Sequence, residues 1–391
     1  MDDTTFGERL GSIRRRRGLT QQELASRSRV SYSLIRQIER GERETTRLET
    51  VRKLAVPLGV TTSTLMAGDG TDALPDTVQD WTPVRDALFA APDTTGDTPP
   101  TSATVRATIA ELRPLTEESR YAEAAAMLPA LLRDAKALDG GADARAARSA
   151  ALQFTGLLLV QTRQWDAAEV ALRLAADAAG SQADETAAAD IQSWMLLRQG
   201  RLTEVRKLST SLADSIEPKL SKATDIELAL WGRMLFRVAA TAVRDNRPDL
   251  CEDALDLAAV AAARIGREIH ADASTWFAFG PATVLMLRAE SAVMVEQPDK
   301  ALTLIRHIQP DTEFSPLSAS RCRHRLDVAS ALAQLHRYPQ ALTVLDGLRH
   351  DTPQWLVQQQ YARDIMTRIV GRRRTLTPEM RETADFLRVP Y

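Results

Sequence analysis

At 391 residues the chain exceeds one ordinary domain of about 100–200 residues and leaves room for two or three. Its 44% hydrophobic and 26% charged content with a formal net charge of −2 excludes global disorder. No apolar run approaches the ~18 residues of a membrane span. Two cysteines, Cys251 and Cys322, exclude a disulfide framework and a four-thiolate metal centre. The N-terminus carries acids where a secretory leader needs a basic region and an apolar core, so a cytoplasmic protein without membrane contact is expected. Alanine occurs 60 times, Arg outnumbers Lys 44 to 6, and the single Asn is Asn246, a composition that favours helix. Charge is uneven: residues 1–70 hold 13 Lys/Arg against 9 Asp/Glu, whereas the remainder is net −6. A basic head on an acidic body points to a nucleic-acid contact confined to the N-terminus.

Five short capped helices are predicted in the first seventy residues. Thr5 and Glu8 form a capping box, and Phe6, Leu10 and Ile13 recur at helical spacing until Gly18. Thr20 and Glu23 repeat the box and open a second helix that runs to about Ser28. Ser31 caps a third, with Val30, Ile35 and Ile38 on one face and Tyr32, Ser33, Arg36, Gln37 and Arg40 on the other. A fourth starts near Thr46 with Val51, Leu54 and Leu58 inward, and a short fifth follows Thr61.

The run from Leu19 to Val60 resembles the XRE, or Cro/repressor-like, helix-turn-helix family: its T-Q-x-x-L-A, V-S, I-x-x-I-E-x-G and L-x-x-L-x-x-L-G-V elements stand at family spacing. The resemblance implies that the third helix enters the major groove of a double-stranded DNA operator. It implies Tyr32, Ser33, Arg36 and Gln37 as base readers, and Gln21 and Arg40 as phosphate contacts. Gln37 and Arg36 carry the most information, since Gln pairs bidentately with adenine and Arg with guanine. It also implies an ion pair between Arg14 and Glu39, with Arg15, Arg16 and Arg17 facing solvent or phosphate. Two positions depart from the family: Leu34, where a small polar residue is usual, and Pro57, which removes a donor from the last turn of the fourth helix.

Residues 71–103, rich in Gly, Pro, Asp and Thr, read as a linker with one short helix at Val84 to Ala90, tethering the head with some freedom. Beyond it, turn-plus-helix segments recur at anchors Tyr121, Trp165, Leu202, Pro248, Pro298 and Tyr338. Three residues after each anchor stands a small or β-branched residue: Ala124, Ala168, Val205, Cys251, Ala301 and Ala341. Nine residues before five of the six anchors stands another small one, Gly156, Ser193, Ala239, Ala289 or Ala329, while Leu112 breaks the rule in the first unit. The pattern is similar to tetratricopeptide repeats (TPR), although intervals of 37 to 50 residues exceed the usual ~34 and require longer helices or loops. Thr377-Pro378-Glu379 starts a last helix that caps the stack. The expected fold is all-α: a five-helix helix-turn-helix domain at 1–70, a linker at 71–103 and a TPR-like α-solenoid at 104–391.

In a TPR array the first helix of each hairpin lines the concave face. The repeat register then points Gln153, Gln161, Trp194, Arg198, Arg233, Phe236, Arg244, Met286, Glu290, Arg323 and Gln334 there. Arginines beside Trp, Phe and Met suit an elongated amphipathic effector with a carboxylate or other negative charge. The head-plus-array layout resembles the RRNPP quorum-sensing regulators, which implies a peptide effector. Those receptors commonly clamp the peptide backbone with asparagines, and Asn246 falls at a turn, so a peptide held by Gln and Arg and an acidic small molecule both stay open. No HExxH, P-loop, G-x-G-x-x-G after a strand or G-x-S-x-G is present, so neither catalysis nor a cofactor is expected. The expectation is a homodimeric DNA-binding transcriptional regulator sensing a peptide or small molecule; the alternative is a DNA-binding scaffold whose repeat surface holds a protein partner.

Overall fold

The computed structural model describes residues 5–43, 46, 48–66, 80–91, 99–118, 120–269, 277–308, 318–373 and 375–390. Among these the chain is helical, and its β-structure is one isolated antiparallel bridge between Ile269 and Phe279. The head comprises α1 (Phe6–Arg16), α2 (Gln21–Ser28), α3 (Tyr32–Glu39), α4 (Leu48–Leu58) and α5 (Thr62–Met66). Then come α6 (Thr82–Phe89) and six helical hairpins: α7 (Ser102–Glu117) with α8 (Tyr121–Ala137), α9 (Ala142–Gln161) with α10 (Trp165–Asp177), and α11 (Gln182–Arg198) with α12 (Leu202–Ser215). The series continues with α13 (Asp225–Arg244) and α14 (Pro248–Ile265), α15 (Pro281–Met294) and α16 (Pro298–Arg306), and α17 (Ala319–Gln334) and α18 (Tyr338–Asp351). The described chain closes with α19 (Pro353–Val357), α20 (Gln360–Val370) and α21 (Pro378–Phe386). The all-α expectation holds, with an N-terminal helix-turn-helix head followed by a repeat-like helical region. No described helix is long and apolar enough to cross a membrane.

All six turn anchors are the first residue of the second helix of a hairpin. One backbone device makes these turns. In each, the amide just before the anchor reaches back five residues to a carbonyl of the first helix: Arg120 to Leu115, Gln164 to Leu159, Arg201 to Leu196, Arg247 to Ala242, Gln297 to Ala292 and Arg337 to Leu332, at 2.7–3.0 Å. In five of them the preceding residue is left-handed, namely Arg163, Gly200, Asn246, Glu296 and His336. The solitary asparagine is therefore a turn residue, tolerated at positive φ. The small residues flanking the turns are buried and allow close approach; a Cβ on Gly156 would stand 2.7 Å from Leu172 of the partner helix.

The chain divides into two compact units. One contains the head together with 193–217 and 233–258; the other holds 78–192, 218–232 and 259–391. In the first, the head has its own core of Phe6, Leu10, Leu24, Ile35, Ile38, Val51, Leu54 and Leu58, with Leu34 partly buried against it. Leu34 thus packs. The head, expected to be tethered with some freedom, also makes direct contacts within its unit. The Arg52 guanidinium on α4 donates to the Val243 carbonyl at 2.9 Å and the Thr62 hydroxyl to the Arg244 carbonyl at 2.6 Å, so α4 and the start of α5 sit on the end of α13. About half of the segment read as linker, 71–79 and 92–98, lies outside the described residues, but α6 is packed in the second unit, with Trp81, Val84 and Leu88 buried. Its C-terminal carbonyls of Ala87, Leu88 and Ala90 accept from the Lys136 ammonium at 2.8–2.9 Å, the expected charge at the negative end of a helix.

The long repeat interval after α14 has a visible cause in the second unit. There Ile269 and Phe279, between α14 and α15, pair in an antiparallel bridge, and the Phe279 ring fills the space over Gly232, where a Cβ would lie 2.0 Å from it. Glu268 accepts from the Ala282 and Thr283 amides and the Thr283 hydroxyl, holding the start of α15. Thr377 caps α21 as its sequence predicts.

Candidate nucleic-acid interface

Helix α3 is placed by local signals that the structure satisfies. Thr5 with Glu8, and Thr20 with Glu23, form complete capping boxes, and the Ser31 hydroxyl accepts from the Leu34 amide at the start of α3. Arg29 supplies the left-handed residue of the turn before it, at φ 55°. The α1–α3 crossing is very close, since an added Cβ on Gly7 would lie 2.0 Å from the Ile38 carbonyl oxygen.

Glu39, at the end of α3, ties three segments together. Arg14 donates Nε to Oε1 at 2.6 Å and Nη2 to Oε2 at 2.8 Å, and its Nη1 donates to the Leu19 carbonyl at 2.7 Å. Gln21 Nε2 donates to the same carboxylate at 2.7 Å. Burial pushes the Glu39 carboxyl up, but the hydrogen bonds from Arg14 and Gln21 and the charges of Arg14 and Arg15 outweigh it and hold it below the ordinary carboxylate value. The ion pair implied by family resemblance is present, with both side chains about nine-tenths covered.

On the outer face of α3, Tyr32, Ser33, Arg36 and Gln37 are all exposed, as is Arg40 just beyond it. Tyr32 is 42% exposed, unusual for an aromatic in so small a domain. Gln21, at the first position of α2, is half-buried, its amide NH2 spent on Glu39. Arg17 reaches the Gly59 carbonyl at 3.4 Å and Arg9, not singled out by sequence, reaches that of Leu65 at 3.1 Å, joining α1 to α4 and α5. This face can pair with base edges through Arg36 and Gln37, and its rim can meet phosphates.

The eleven residues assigned to an effector groove fall into two groups. Trp194, Arg198, Arg233, Phe236 and Arg244 lie in the unit that contains the head, the other six in the second unit. Within the first group the Arg198 guanidinium lies 5.2 Å from the Trp194 ring centre, Phe236 is buried, and Arg244 Nη1 donates to the Ala240 carbonyl. In the second, Gln153 is buried and donates to Ser149 and to the Asp184 carbonyl, Gln161 is half-buried, and Met286 packs with Ala282 and Ile308. Gln334 donates to the Val293 carbonyl at 3.1 Å. Arg323 donates to Glu290 at 3.0 Å and lies 4.3 Å from the Tyr361 ring centre. Asp327 lies 3.9 Å from Arg323 and carries no signal in the sequence, whereas His324 stands beside Arg323 on the same helix. Burial, reinforced by the Arg321 charge, pushes the His324 imidazole down to about 4. Burial first, then Asp327, pushes the Tyr361 phenol well above its ordinary value.

Residues 5–67 match the helix-turn-helix domain family. Over 76 residues the chain is 40% identical to an uncharacterized HTH-type transcriptional regulator, RghRB, of Bacillus subtilis (strain 168). That similarity covers 19% of this chain and 55% of the relative, so the chain spans about half the length of the curated relative it matches. No solved structure matches the chain. Capping, core and family match converge on one conclusion, that residues 5–67 are a helix-turn-helix domain.

Proposed function

We propose that the protein is a DNA-binding transcriptional regulator in which α3 reads the major groove of an operator and the helical hairpins, TPR-like in pattern, sense an effector. The carrying observation is the exposed row Tyr32, Ser33, Arg36 and Gln37 on a helix whose opposite face is buried and whose end is locked through Glu39. A rigid helix with an exposed polar face is what base readout requires. The helix-turn-helix match and the regulator named among its relatives support the same reading.

Two such heads in a homodimer would double the readout on a two-fold operator, with half-sites about one helical turn, ~34 Å, or a multiple apart. The effector in this reading is a peptide or an acidic small molecule, held with the help of Arg198 and Arg233 beside Trp194 and Phe236. Selection of duplexes from a random library with the full chain, followed by sedimentation of the complex, tests the DNA reading; failure to enrich any duplex refutes it. Titration of peptide and metabolite fractions against the selected complex tests sensing. Release or tightening that disappears in Arg198→Ala or Arg233→Ala supports it. Capture of a protein partner with DNA affinity unchanged by any fraction supports the scaffold alternative.

A further inference from the structure

Within the unit that contains the head, three contacts join the face formed by α4 and α5 to the turns of two successive hairpins. The last-turn carbonyls of a helix have no partner within it and carry the negative end of its dipole. On the 20-residue α13, those of Val243 and Arg244 are met by Arg52 and Thr62 of the head, at 2.9 and 2.6 Å. Arg52 is only 9% exposed, and a guanidinium is buried to that degree when it has partners. The third contact is at Gly200, in the α11–α12 turn, where an added Cβ would lie 3.2 Å from the Met66 methyl. Four other turns place Arg163, Asn246, Glu296 and His336 at the same left-handed position; glycine stands at the one against which Met66 lies. The turn itself tolerates a side chain, so its absence at 200 matches the approach of Met66.

The seat is connected to the reading helix by short steps. Thr62 and Leu65 are on α5, and the Leu65 carbonyl accepts from Arg9 on α1 at 3.1 Å. Helix α1 in turn touches α3 at Gly7 and through Arg14 and Glu39. All this leaves the outer face of α3 exposed, so the docked head can still meet DNA.

We propose that the ends of α11 and α13 form a docking seat for the helix-turn-helix head, with Arg52, Thr62 and Gly200 as positioning residues that fix the direction in which α3 is presented. The inference rests on the DNA-binding reading above for its consequence, a fixed spacing between half-sites, but not for the seat itself. Because α11 and α13 also carry Trp194, Arg198, Arg233 and Phe236, an effector bound to those helices acts on the head directly through the seat.

The test uses the full chain spin-labelled at Gln22→Cys in the head and Asp253→Cys on α14, both exposed positions, with Cys251 and Cys322 buried. Electron spin resonance distance measurement on the otherwise unaltered chain should give one narrow distribution. It should at least double in width in Arg52→Met/Thr62→Val and, separately, in Gly200→Asn. Asparagine keeps the left-handed turn, as Asn246 does, while placing a side chain under Met66. Both variants should bind a duplex with one half-site within about twofold of the parent, yet lose at least tenfold of its preference among duplexes with two half-sites at different spacings. A broad distribution in the parent, or a narrow one in both variants, overturns the seat; so does a spacing preference that survives in both. A library that yields no duplex while the distances behave as stated refutes the DNA reading and leaves the seat standing.

Discussion

Arg14 and Glu39, 25 residues apart, close two hydrogen bonds of 2.6 and 2.8 Å in a setting where each side chain is about one-tenth exposed. Removing the carboxylate alone leaves a mostly buried guanidinium without its counter-charge. Glu39→Ala should therefore destabilise the head by roughly 3 kcal/mol, the lower end for a broken buried pair. Hydrogen exchange across α1 to α3 in the full chain checks this. The Glu39 carboxyl is held below its ordinary value in the fold, so its contribution is complete above the unfolded carboxylate range and fades as pH falls through the folded value. Acidification should accordingly loosen these helices in the parent and have less effect on the variant.

Gly7→Ala tests the α1–α3 crossing. A methyl there meets the Ile38 carbonyl oxygen at 2.0 Å, a backbone atom that a rotamer change cannot move. The helices must separate, at a cost on the order of 1–3 kcal/mol or more. DNA affinity should fall with it, because α3 is displaced as a unit. Parent-like thermal unfolding and DNA binding in Gly7→Ala would show that the crossing is looser than described.

Substitutions on the exposed face of α3 should leave stability alone and change selectivity. Arg36→Ala and Gln37→Ala should each relax discrimination at a definable base pair by on the order of 1–3 kcal/mol. Gln21→Ala should weaken all sequences alike, and because Gln21 also donates to Glu39 it should lower head stability slightly. Binding measured against single-base variants of a selected duplex separates the two patterns; uniform loss in all three variants would remove α3 from the groove.

His324 gives the second unit an acid sensitivity of its own. Its imidazole titrates at about 4 in the fold, against an ordinary value near 6.5. Between those values the unfolded chain binds the proton and the folded chain does not, so stability falls as pH drops, by up to about 3 kcal/mol from this group. A His324→Gln variant should show a shallower decline between pH 6.5 and 4 in urea titrations. Equal slopes would mean that the imidazole finds a partner for its charge.

The parts of the fold legible in the sequence are those whose partners are close along it. Thr5 with Glu8, Thr20 with Glu23, Ser31, and the six anchors are short-range signals, and each appears where the spacing puts it. The Arg14–Glu39 pair became legible through family resemblance. Arg52 gave no such signal. On a helical wheel it is one more arginine on an exposed-looking position, and its acceptor lies 191 residues further on. Gln153 shows the same limit: the repeat register places it on a groove face, and its amide donates to Ser149 and to the Asp184 carbonyl 31 residues further on. Arg323 and Glu290 were both singled out as potential contacts for an effector, whereas the structure brings them together as partners of each other. Register indicates which face a residue takes, and long-range packing decides what it meets there.

The uniform hairpin turn separates joints from spans. Six joints use the same backbone bond, and the five with a left-handed residue depend little on which side chain occupies it, while the anchor-to-anchor interval ranges from 37 to 50 residues. Length can therefore be added or lost between joints without re-engineering a joint, as where Ile269 pairs with Phe279 between α14 and α15. In evolutionary terms the hairpins form a chassis with fixed hinges and adjustable panels. New specificity can arise in a panel while Gly200 and the end of α13, both at hinges, keep the head where it is.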